Sequence, residues 1–162
     1  MTDSAYQIEV SYHQFLLVVG DASPILDPAT VGPVLALDPQ VRGAVIVRTG
    51  CADGPVNVTV RVAEEPLQDL AAASTGWEVG EQLAIPVEDE LYLAPLMGEN
   101  PAYPVYTPRS PGLHLIRVLS RGRTTHHDVV VWEPSEDYEV TIAPVRSDPG
   151  RQTISDDGLY RT

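Results

Sequence analysis

The side chains best suited to metal or acid–base chemistry gather at His126-His127-Asp128, with His13 and His114 elsewhere in the chain. Neighbouring residues on a strand point to opposite faces, so His126 and His127 are badly placed to grip one ion. No HExxH, CxxC or EF-hand spacing accompanies them, and the triplet reads as an exposed turn. Cys51, the one cysteine, follows a turn glycine without a histidine beside it, and the chain has no GxSxG elbow. A small buried or turn cysteine is the expectation. Paired carboxylates recur at Glu64-Glu65, Glu136-Asp137 and Asp156-Asp157, but among 23 Asp and Glu such pairs select no general acid and base. Phosphate-cradling GxxxxGK[ST] and GxGxxG patterns are missing as well. The residues therefore predict no catalytic group, no metal, no cofactor and no enzyme.

Two surface chemistries remain. Arg117, Arg121 and Arg123, with His126 and His127, form a basic cluster whose guanidinium forks suit a small anion, with Tyr12, Trp77 or Trp132 to line a pocket. The ordinary fate of such arginines is to pair with the protein's own carboxylates. Against them stand two acidic groups, Glu88, Asp89 and Glu90 in one turn and Glu133, Glu136 and Asp137 in another segment. These carboxylates could imitate phosphates toward a basic protein. The balance of 23 acidic against 10 basic residues, a net charge of −13, repels nucleic acid and steers a cationic partner in. The first expectation is a non-catalytic acidic module that neutralises a basic protein. The alternative is a small-anion-binding sandwich.

The elements that must position these groups are short. With 162 residues, one core is expected, and 12 Gly plus 15 Pro disfavour long helices. Over residues 6–19, Tyr6, Ile8, Val10 and Tyr12 alternate with polar residues and lead into the apolar run from Phe15, the pattern of a strand entering the core. Residues 20–40, punctuated by Pro24, Pro28, Pro33 and Pro39, read as a long connection with a short edge segment. Residues 44–49 and 56–63 flank a turn as a hairpin, with Val56, Val58, Val60 and Val62 on one face. One short helix fits 66–74, with Pro66 in its first turn and Thr75-Gly76 as its stop. Residues 77–86 and 90–96 read as strands around an exposed acidic hairpin tip, and Pro-rich 98–112 allows an edge strand only. Strands at 113–120 and 128–132 flank 121–125, and 138–143 turns Tyr138, Val140 and Ile142 inward. The expected fold is all-β: a single-domain antiparallel β-sandwich of about eight strands, with long Pro-rich loops and at most one short helix, over residues 1–145. Residues 146–162 read as a flexible polar tail.

A lone cysteine excludes an intrachain disulfide, and the opening residues lack a secretory pattern. The apolar run at 15–19 is far short of a membrane span, so the cytoplasm is the expected compartment. The string Ile8-Glu9-Val10-Ser11-Tyr12-His13-Gln14-Phe15 resembles the opening strand of the competence protein J family, the DNA-entry nuclease inhibitors of transformable bacteria. The runs from His114 to Arg123 and from Glu136 to Ile142 are similar to the closing strands of related bacterial proteins. The resemblance implies a small domain that inhibits a nuclease, and it assigns no functional residue. An acidic module of that kind could occupy a nuclease's cationic substrate cleft.

Overall fold

The structure is a computed structural model that describes residues 2–20, 30–31, 34–37, 44–65, 67–97, 102–154 and 158–159. Twelve strands and one short helix follow in chain order: β1 (Thr2–Val10), β2 (Gln14–Val19), β3 (Thr30–Val31), β4 (Leu35–Leu37), β5 (Ala44–Arg48), β6 (Gly54–Val62), α1 (Leu70–Ala73), β7 (Val79–Val87), β8 (Leu91–Pro95), β9 (Tyr103–Tyr106), β10 (Gly112–Arg121), β11 (Asp137–Pro144) and β12 (Gln152–Ile154). They form two six-stranded sheets, one ordered β1-β6-β11-β10-β7-β12 and the other β3-β4-β5-β2-β8-β9. Period-2 alternation supplies each sheet with one apolar face, and the two faces bury each other. Ile8, Val58, Val140, Ile116 and Leu83 of the first sheet meet Phe15, Leu17, Val45 and Leu93 of the second in one cluster. At its centre Phe15 and Tyr138 pack edge to face, with ring centroids 5.2 Å apart.

The all-β class and the two packed sheets agree with the sequence reading, while several connections differ. The described residues hold twelve strands against the expected eight, with Thr30–Val31, Leu35–Leu37 and Gln152–Ile154 among the short ones. Residues 6–19 break at Ser11-Tyr12-His13, so that β1 joins the first sheet and β2 the second. The expected hairpins at 44–63 and 77–96 are corners between sheets: β5 lies in the second sheet and β6 in the first, and β7 and β8 divide likewise. Alternation fixes which side chains face inward but not whether a turn folds back or crosses over. β6 instead pairs with β1 over nine residues and runs parallel to β11, a departure from a wholly antiparallel sandwich. Residues 128–132 form no strand, making a single bridge between Val130 and Asp53, and β11 takes the place beside β10. The Pro-rich stretch behaves as expected, with β9 at the edge of the second sheet. The prolines of the 20–40 connection and Pro66 lie outside the described residues.

Helix α1 is capped by Asp69, whose Oδ1 accepts from the Ala72 N–H at 2.9 Å, and Leu70 is its buried residue. Within the supposed tail, β12 pairs with β7, and the Arg151 guanidinium donates to Glu81 Oε2 at 2.8 Å and to the Leu35 carbonyl at 2.9 Å. Glu81 faces the core from β7. Its Oε1 accepts the N–H groups of Val34 (3.1 Å) and Leu35 (2.6 Å), so one buried carboxylate ties the two sheets along this edge.

Candidate partner-binding end

Three connections meet at one end of the sandwich: the β1–β2 turn, residues 49–53 between β5 and β6, and the long β10–β11 connection over 122–136. A connection this long without secondary structure is uncommon in a small domain, and here it is held at many points. The N–H of Asp128 donates to the Gly50 carbonyl (2.8 Å), that of Ala52 to Val129 (2.9 Å), that of Val131 to Asp53 (2.9 Å) and that of His13 to Ala52 (3.0 Å). His13 Nε2 donates to Asp128 Oδ1 at 2.7 Å and couples the turn to the long connection. Gly122 donates its N–H to Glu78 Oε1 at 2.7 Å, fixing where the connection leaves β10.

Two glycines permit this seating. A Cβ at Gly50 would lie 1.9 Å from the Arg123 carbonyl oxygen, and one at Gly54, whose φ is +123°, 2.1 Å from that of Val131. No other residue allows backbones so close, or that φ without strain. Left-handed backbone also occurs at three non-glycine residues of this end, Tyr12 (φ 52°), His13 (φ 61°) and Asp128 (φ 62°). Such conformations persist where surrounding bonds over-determine them, and the His13–Asp128 pair does so here.

Beneath the loops lies a buried polar cluster. Glu136 is fully buried; its Oε1 accepts from the Gly50 N–H (2.9 Å) and the Tyr138 hydroxyl (2.6 Å), and its Oε2 from the Cys51 N–H (2.7 Å). Burial, then the Glu136 charge and hydrogen bond, push the Cys51 thiol up to about 12, so the residue is the inert buried cysteine that the sequence suggested. Burial and the same carboxylate hold the Tyr138 phenol well above its ordinary value, with Arg123 opposing. Above this cluster the connection and the β1–β2 turn expose apolar side chains: Trp132 is 88 % accessible, Tyr12 of the turn 70 %, Val130 53 % and Val129 47 %, while Val131 turns inward. A cleft of about 370 Å³ lined by Tyr12, His13, Arg48, His127 and Asp128 opens beside them. Exposed carboxylates of this end include Asp53, Asp128 and Glu133, and Glu78 where it holds the Gly122 N–H.

The sequence-selected residues separate. Glu133 is exposed at this end, but Glu136 is an interior anchor and cannot meet a partner, a correction that follows from its three buried donors. Asp137 accepts from Arg121 Nε (3.0 Å) and Asn57 Nδ2 (3.1 Å). Glu88 and Asp89 are exposed at the opposite end, roughly 30 Å away along the ten residues of β10. There Glu90 Oε2 accepts from the Thr107 hydroxyl at 3.1 Å and pushes the Tyr92 phenol up. The two acidic groups thus cannot form one compact patch. The basic cluster is divided too. Arg117, on the outer face of the first sheet, donates to Gln82 Oε1 (2.8 Å) and the Gln68 carbonyl (2.7 Å). Arg121 sits 4.7 Å over the Trp77 ring, Arg123 is fully buried, and His126 and His127 are exposed on the long connection. These five side chains do not converge on one anion. Among the described residues no group of three or more His, Cys, Asp or Glu is placed to hold a metal ion.

The sequence reading missed the tie between His13 and Asp128 and the outward Val129 and Val130. The Asp-Val-Val-Val-Trp run passes for a strand, and the signal against it is the length of loop around it. The two packed sheets define an all-β sandwich, a fold found among solved structures as well. ComJ, inhibitor of the DNA degrading activity of NucA, from Bacillus subtilis, superposes with a TM-score of 0.56 at 13% identity, over 88% of this chain and 96% of that one. The protein of crocagin biosynthetic gene J aligns with a TM-score of 0.47 at 16% identity, over 90% of this chain and all of the other. No protein-family model matches the chain. No curated protein matches it either. The chain therefore shares the fold of ComJ, in keeping with the resemblance seen at Ile8 to Phe15.

Proposed function

We propose that this protein is a non-catalytic binding module of the inhibitor type that neutralises a basic protein, with nucleases the first class to test. The observation that carries the reading is the braced loop end, where exposed aromatic side chains stand on a backbone already fixed by buried hydrogen bonds. Pre-ordered loops lose little entropy on association, which is what a binding surface needs and a passive connection does not. The net charge of −13 adds long-range steering toward a cationic partner. The fold shared with ComJ, itself an inhibitor of a DNA-degrading activity, supports the same direction. Among the described residues no helix is long and apolar enough to cross a membrane. A cytoplasmic partner is part of the proposal.

The test is an affinity capture with the full chain as bait, at low and at high salt, with mass spectrometry of what is retained. The expected result is one basic protein, released at high salt, whose activity on DNA falls when this protein is added. Retention of no basic protein at either salt would count against the reading.

A further inference from the structure

We infer that the docking face for that basic protein is the loop end alone, with Trp132 as the anchor inserted into an apolar pocket of the partner and Asp53, Asp128 and Glu133 meeting its cations. This rests on the binding reading above and specifies its surface. Trp132 is the most exposed of the large apolar side chains, 88 % accessible, although Val131 beside it is buried and the backbone around it is tied to Asp53 and Ala52. An indole held in water on a rigid loop has nothing to gain within its own chain, whereas buried in a partner it contributes more contact area than any other residue type. Tyr12, Val129 and Val130 extend the apolar surface, and the three carboxylates form a polar rim. The occupant is basic because those exposed carboxylates and the net charge of −13 complement cations. Of the basic residues here, Arg121 at the end of β10 leans on Asp137 and Trp77 and Arg123 is buried, while His126 and His127 are exposed on the connection. Asp128 has a second role, holding the β1–β2 turn through the bond of its Oδ1 to His13.

The experiment takes the basic protein retained in the capture, purified, and titrates it by calorimetry against the full chain and its variants. W132A should weaken binding about tenfold or more, and E133R several-fold, with thermal unfolding unchanged because both side chains are exposed. W132F should restore part of the affinity. The double variant E88R/D89R, at the far end, should stay within about twofold at physiological salt, because the Debye length is near 8 Å. In a W77F background the Trp132 emission should shift to the blue on complex formation. If W132A binds within twofold of the parent, or E88R/D89R loses more affinity than W132A, this surface is wrong while the binding reading stands. If no basic protein is retained and sedimentation shows a dimer that W132A dissociates, the occupant is a second copy and the proposal is overturned. Retention of nothing by a monomer overturns both readings.

Discussion

The two ends of the sandwich are closed in different ways. At the acidic-turn end, β7 and β8 are joined by the short turn of residues 88–90 and single hydrogen bonds tie the described residues: Gly20 donates to the Glu90 carbonyl at 2.7 Å, and Tyr106 reaches His114 Nε2 at 2.7 Å while His114 Nδ1 donates to the Gly112 carbonyl at 2.8 Å. The charges at Glu88 and Asp89 are exposed, and the apolar side chains that flank them, Val87 and Leu91, are drawn in. At the loop end the arrangement is inverted. A charged group, Glu136, is drawn in and a large apolar side chain, Trp132, is put out. Burying a carboxylate is costly unless its oxygens are filled by donors, and filling them with the N–H groups of Gly50 and Cys51 fixes one loop upon another. The two ends thus differ in which kind of side chain the packing withdraws from water.

The contrast breaks most severely when the anchor is removed. E136A leaves the N–H groups of Gly50 and Cys51 and the Tyr138 hydroxyl without their acceptor, and stability should fall by about 3–5 kcal/mol in urea unfolding. A loss below about 1 kcal/mol would show that the loop end is not anchored through this carboxylate. G54A forces a Cβ against the Val131 carbonyl at a φ of +123° and should cost about 2–3 kcal/mol, with exchange of the Val131 amide accelerated. Retained Val131 protection would mean that the seating survives the added methyl.

Titration sharpens the same comparison. The Cys51 thiol binds its proton more tightly when folded, with its value raised from 9.0 to about 12. Its contribution to stability is therefore complete below pH 9 and is lost as pH rises toward 12, because the unfolded thiol ionises first. Tyr138 shifts in the same direction and adds to this alkaline loss. Iodoacetamide at pH 8.5 should modify Cys51 at the rate of global unfolding, and modification at the rate of a free thiol would contradict its burial. At the other end Y106F removes one hydrogen bond to His114 and should cost about 0.5–1.5 kcal/mol, leaving partner binding untouched. The smallest effect belongs to E88R, which should alter stability by no more than about 0.5 kcal/mol, measured by the same unfolding series.

The sequence by itself determined the all-β class, through the alternation at Tyr6, Ile8 and Val10 and at Tyr138, Val140 and Ile142, and through prolines that confine residues 103–106 to a sheet edge. It also marked Cys51 as a small turn residue, since no activating partner stood near it in the chain. Which strands share a sheet was decided in three dimensions. The turns after Val10, Arg48 and Val87 cross between sheets because their flanking strands find longer partners elsewhere, β6 on β1 and β11, and β7 on β10. The site was hidden for a related reason. Glu133, Glu136 and Asp137 look equivalent as a string of carboxylates, yet tertiary packing exposes the first, buries the second among donors from residues 50, 51 and 138, and neutralises the third on Arg121. Charge and periodicity are local properties of the chain. Burial belongs to contacts between residues 85 or more positions apart, such as Glu136 with Gly50 and Cys51, and only the folded sandwich brings these together.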